Sequence, residues 1–129
     1  MISYNLYAFD VDHTLEIANG PVMLRQMEAL RKQGHVVGLC GNWANFIRTL
    51  RESWHERISF FGPIGSTQTK AEYLSALKYY IPANRYVLIG NCEPGQSRDL
   101  EAAEQAGWSF IKETVFAKEM AFEEGLDES

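Results

Sequence analysis

Five short apolar runs, separated by stretches of helical period, constrain this chain more than any other feature. Tyr4 to Phe9 is apolar and aromatic and turns acidic at Asp10. His35 to Cys40, Ile58 to Phe61, Arg85 to Ile89 and Trp108 to Ile111 repeat the form. Between them the apolar spacing changes to three and four. Met23, Leu24, Met27 and Leu30 recur within Pro21 to Gln33, and Trp43, Phe46, Ile47, Leu50 and Trp54 form a longer stripe. Tyr73, Leu74, Leu77 and Ile81 give one side of a helix over Thr69 to Tyr80. Ser97 to Ala106, stopped by Gly107, and Thr114 to Glu124 complete the set. Pro21 suits a first helical position and Gly34 a stop. Continuous apolar strands need cover on both faces, so the expectation is an α/β fold with a parallel sheet between helices. In such folds ligands sit beyond the carboxyl ends of the strands. That singles out Asp10 to Thr14, Cys40 to Asn42, Pro63 to Lys70 and Gly90 to Asp99.

Composition narrows the classes. The 129 residues fit one domain, and 46% hydrophobic with 12% aromatic residues supports a core and excludes disorder. A net charge of −5 argues against a general nucleic-acid binder, which relies on clustered Lys and Arg. No apolar run approaches the ~20 residues of a membrane span, and Met1 to Asp10 lacks the features of a signal peptide. The expectation is a cytoplasmic protein without membrane partners. Two cysteines, Cys40 and Cys92, cannot form a disulfide scaffold. His13, His35 and His55 show no metal-ligand spacing. Glu119 to Ser129 carries five acids and no base and reads as a solvated tail.

The strongest chemical signal is Phe9-Asp10-Val11-Asp12-His13-Thr14-Leu15. Two carboxylates two residues apart, directly after a buried strand, repel unless a cation lies between them or one takes a proton. Such an oxygen set suits Mg²⁺, which favours few carboxylates, several waters and a substrate phosphate.

Asp10 to Leu15 resembles the first motif of the haloacid dehalogenase-like (HAD) hydrolases. The resemblance implies a Rossmann-like three-layer sandwich with a five-stranded, mainly parallel sheet. It implies a catalytic core over residues 1–115, followed by a C-terminal helix and acidic tail over 116–129. It also implies that Asp10 attacks phosphorus to form an aspartyl-phosphate and that Asp12 is the general acid and base. Thr14 would steady the loop and is counted among the substrate-binding residues. A carboxylate is a recognised covalent nucleophile, and its attack on phosphate needs charge shielding.

Three further segments extend the resemblance. Thr69-Lys70-Ala71-Glu72 reads as a capping box, which places Lys70 in a first helical turn where the helix dipole disfavours a cation. The family has a lysine at such a helix start, and Lys70 is expected to contact the nucleophile and phosphate. Val87 to Asn91, then Ser97 to Ala103, resembles the fourth motif, with Asn91 where a metal-binding Asp is usual. The Mg²⁺ ligands implied are Asp10, Asp12, Asn91 and Asp99, with one negative charge fewer than the family pattern. Cys40 stands at the Ser/Thr position of the second motif. A thiol is a poor donor, so Gly41 and Asn42 would supply hydrogen bonds to substrate alongside it. The family's strand order puts Cys40 and Cys92 two strand spacings apart, too far for a disulfide.

Only six residues separate Thr14 from Pro21, and Gly62 to Thr69 is equally short, so no cap domain fits. An open site implies a phosphorylated macromolecule as substrate, or a phosphorylated small molecule with a second copy of the chain as lid. The expectation is a Mg²⁺-dependent phosphatase. The alternatives are a degenerate relative that binds a phosphorylated ligand or partner without turnover, and a receiver-type module. In the latter the acceptor Asp would follow the third strand, where this chain has Gly62-Pro63-Ile64-Gly65.

Overall fold

The structure is a computed structural model and describes residues 2–65, 67–92 and 98–123. Its sheet is built on β1 (Leu6–Phe9), with β2 (Val36–Leu39) on one side and β3 (Tyr86–Gly90) on the other. β4 (Ser109–Lys112) lies outside β3. The order is β2-β1-β3-β4 and every pairing is parallel. Leu6 is level with Val36 and Tyr86, and Phe9 with Leu39 and Ile89, so three strands end together.

Both faces of the sheet are buried, as the unbroken apolar runs require. Alternation in β1 sends Phe9 to one core and Leu6 and Ala8 to the other. The Phe9 face is covered by α1 (Leu24–Lys32), α2 (Trp43–Thr49) and α6 (Glu113–Glu123), through Met27, Leu30, Phe46, Phe116 and Met120. The Leu6 face is covered by α4 (Lys70–Tyr80) and α5 (Asp99–Ala106), through Tyr73, Leu74, Ala102, Ala103 and Ala106. Fully burying one Phe, Leu or Ile side chain contributes about 1.5–3 kcal/mol. The C-terminal helix is part of this packing: Phe116 meets Phe9 edge to face at 5.3 Å, and Gln26 donates to the Ala117 carbonyl. Of the predicted tail, residues 124–129 lie outside the described residues. No helix of the described residues is long and apolar enough to cross a membrane.

The sheet has four strands, not five. The predicted strand Ile58 to Phe61 runs beside β2 with three backbone bonds: Ser59 to Val37, Leu39 to Phe60 and Gly41 to Gly62. A regular parallel ladder begun at Ser59 would return the Leu39 amide to Ser59. It goes to Phe60, and this one-residue slip breaks the ladder. Three helices also depart from expectation by more than one residue. Pro21 does not start α1, because Val22 forms a parallel bridge with Leu15 and the Glu16 carboxylate accepts the Leu24 amide. The Trp43 stripe is split into α2 and a short α3 (Trp54–Arg57). The predicted Ser97 start of α5 falls at Asp99, with Ser97 itself outside the described residues. The capping box is present: Thr69 accepts the Glu72 amide at 3.1 Å and Glu72 accepts the Thr69 amide at 2.9 Å.

Candidate functional site

Asp10 is the first residue beyond β1. Its amide continues the ladder to the Ile89 carbonyl, so its backbone is fixed by the central strands. The residue is 5% exposed. Oδ1 receives the Lys70 ammonium at 3.2 Å, and Oδ2 receives the Asn91 side-chain nitrogen at 3.1 Å. Gly41, past the end of β2, passes against it. A Cβ there would collide with Asp10 Oδ1, so only glycine lets the two strand ends close together.

Lys70 comes from the first turn of α4 and crosses to the sheet. Its ammonium joins Asp10 to Asp99, whose Oδ1 lies 2.7 Å away. Asp99 is fully buried at the start of α5, and its Oδ2 also accepts the Asn91 amide at 3.2 Å. Gly90 admits this carboxylate, because a Cβ there would strike Asp99 Oδ2. Burial pushes the Asp10 carboxyl up to about 7; Lys70 opposes that shift, and the charge and hydrogen bonding of Asp99 add to it. Burial by itself would lower the Lys70 ammonium, but the two carboxylates outweigh it and push it above its ordinary value. The helix dipole is overridden for the same reason: the cation serves two buried carboxylates, not solvent.

Asp12 is exposed at the mouth, and the Asn42 side chain donates to both its oxygens at 3.3 and 3.2 Å. A cleft of about 260 Å³ opens over Asp10 and is lined by Asp12, His13, Gly41, Asn42, Pro63 and Lys70. His13 stands in the left-handed region at φ 60°, which turns the chain back so that its amide reaches the Ala18 carbonyl at 2.8 Å. Pro63 was missed among single residues. The Trp43 indole donates to its carbonyl at 2.9 Å, and the signal available was the Gly62-Pro63 turn after an apolar run.

The structure therefore brings together Asp10, Asp12, Gly41, Asn42, Lys70, Asn91 and Asp99. It does not bring Thr14 or Cys40 to the cleft. Thr14 is buried; its backbone holds the loop through Val11 and Val22, while its hydroxyl has no partner. Cys40 is buried in the core beneath the site with its thiol pushed up to about 12 by burial, so it offers nothing to a substrate. Cys40 and Cys92 are free thiols.

Among the described residues no three His, Cys, Asp or Glu side chains cluster as a metal site. Asp99 faces Lys70 and the Asn91 amide. The oxygens nearest to a metal set are Asp10 Oδ2 and the Asp12 carbonyl, both receiving the Asn91 nitrogen at 3.1 Å, with Asn91 Oδ1 on the other arm of the same amide. That last oxygen is buried without a hydrogen bond, which costs about 1–3 kcal/mol. With the amide turned, the three would suit a hard cation carrying one carboxylate and several waters.

No protein-family model, curated protein or solved structure matches this chain.

Proposed function

We propose that this chain is a phosphatase of HAD-like design on a Rossmann-like core, hydrolysing phosphate monoesters through an aspartyl-phosphate at Asp10. The observation that carries the reading is the setting of Asp10: a buried carboxylate at the end of the central strand, facing a cleft, with a fixed cation at 3.2 Å. Desolvation raises the energy of the anion and makes it a better nucleophile than an exposed carboxylate. One Asp10 oxygen attacks phosphorus as the bond to the leaving oxygen breaks. Asp12, exposed at the mouth and oriented by Asn42, protonates that oxygen. It then takes a proton from a water whose oxygen attacks phosphorus, and the bond to Asp10 breaks. Lys70 stays charged throughout and offsets the negative charge gathered beside Asp10. Gly41 and Asn42 face the cleft where a phosphoryl group would lie.

Mg²⁺, when bound, would shield charge on the phosphoryl oxygens. Asp10, the Asp12 carbonyl and Asn91 are the groups that would hold it. The open cleft suits a phosphorylated macromolecule, or a small phosphorylated ligand with a second copy of the chain as cover.

The test is phosphate release from an aryl phosphate with and without Mg²⁺, comparing the native chain with Asp10→Asn. Release that requires Asp10 supports the reading, and equal release by the variant refutes it. One observation favours a second reading, a non-catalytic phosphate-binding relative. The Asn91 amide already binds both Asp10 and the Asp12 carbonyl. Calorimetry showing phosphate-ligand binding with no turnover, at any Mg²⁺ concentration, would select it.

A further inference from the structure

Asn91 is 3% exposed, yet the two ends of its side chain are treated unequally. The nitrogen donates twice, to Asp10 Oδ2 and to the Asp12 carbonyl, both at 3.1 Å. The oxygen of the same amide is buried with no hydrogen bond. Its backbone is held apart from this, because the Asn91 amide is fixed on Asp99 Oδ2. The side chain can therefore rotate without moving the strand end. A planar amide has nearly the same shape either way round, so a half-turn exchanges nitrogen and oxygen with little change in packing.

The two orientations have opposite electrostatics. With nitrogen inward, two N–H groups fill the space between Asp10 Oδ2 and the Asp12 carbonyl. With oxygen inward, three oxygens face one another and repel, unless a positive ion lies among them. Lys70 cannot be that ion, because it is committed to Asp10 Oδ1 and Asp99.

We propose that the Asn91 amide is a two-position plug in the Asp10 site, nitrogen inward without a cation and oxygen inward when a small divalent cation binds. It rests on the reading of Asp10 as the reacting carboxylate and adds how that carboxylate exchanges partners. In the first position the amide occupies Asp10 Oδ2 and masks part of its charge. In the second the cation takes Oδ2, the Asp12 carbonyl and Asn91 Oδ1, so the oxygen gains a bond to the ion while the amide nitrogen gives up its two acceptors. A cation must displace two hydrogen bonds and gains only one carboxylate, so binding is weak and selective for hard ions.

The test uses Mn²⁺ alone, with no phosphate ester, followed by the electron paramagnetic resonance of the free ion. The native chain is expected to bind one Mn²⁺ weakly. Asn91→Asp removes the competing N–H groups and adds a charge, so affinity should rise at least about tenfold. Equal affinity in both overturns the proposal. Because a buried extra carboxylate could prevent folding, a second measurement uses only the native chain. The Asn91 side-chain N–H₂ signals should shift on titration with Mg²⁺, while the backbone N–H of Asn91 stays on Asp99. Side-chain signals unmoved at saturation also overturn it. Failure of the phosphatase reading is separate: the metal results would stand as expected while no phosphate is released.

Discussion

Replacing Asp10 by Asn should abolish phosphate release and move the stability difference between variant and native chain in the variant's favour as pH rises. The substitution keeps the shape and removes the charge of a residue that is 5% exposed, and its new N–H₂ faces Lys70 or the Asn91 nitrogen, a cost independent of pH in this range. Burial lifts the carboxyl from 3.8 to about 7, above its unfolded value. The folded state therefore holds the Asp10 proton more tightly than the unfolded chain does. The contribution of this group is fully present below about pH 4 and is lost as pH rises through about 7. A rise of about three units at roughly 1.4 kcal/mol each gives about 4 kcal/mol as the full swing. Lys70 loses one of its two partners in the variant, but Asp99 at 2.7 Å retains it. The stability of the variant relative to the native chain should thus improve by about 2–4 kcal/mol between roughly pH 4.5 and pH 8.5. Urea denaturation followed by tryptophan fluorescence, with a chelator present, measures this. A difference that is independent of pH, or that shrinks toward alkaline pH, would refute the assignment of the buried charge to Asp10.

In the metal-free chain the Asp10 carboxyl should take up its proton as pH drops through about 7, read from its carboxyl carbon signal by NMR, and Mg²⁺ held by the same carboxylate should move that midpoint to lower pH. Lys70→Met leaves two buried carboxylates without their cation and should cost about 3–5 kcal/mol at neutral pH, read by urea denaturation, and stop phosphate release. Gly41→Ala places a Cβ against Asp10 Oδ1 and should lower stability by about 1–3 kcal/mol, with a matching loss of activity in the aryl phosphate assay. In the native state a thiol reagent should modify the partly exposed Cys92 and spare Cys40, as mapped by mass spectrometry, with Cys40 reacting only in urea.

The alternation of apolar runs and helical stripes determined the α/β class, since a strand apolar on both faces has few other ways to be covered. The Thr69–Glu72 capping box was equally legible, because it depends on residues three apart. Asp10 and Asp12 could be proposed as site residues from their spacing after an apolar run, and Lys70 from the capping box together with the family resemblance. Local sequence could not show that the Ser59 to Gly62 segment slips by one residue against β2, because register depends on a partner more than twenty residues away. Nor could it show that Cys40 lies below the cleft, since a strand's last residue can face either core.

The charge pattern was decided by tertiary structure alone. In sequence, Asp10, Lys70, Asn91 and Asp99 are separate letters spread over ninety residues. Folding places one ammonium between two buried carboxylates and turns an amide nitrogen toward a third contact. Sequence determined which groups arrive at the strand ends. Only three-dimensional packing decided that Asp99 pairs with Lys70 and that Asn91 meets Asp10 with its nitrogen, because desolvation and pairing act over a few ångströms of space and not along the chain.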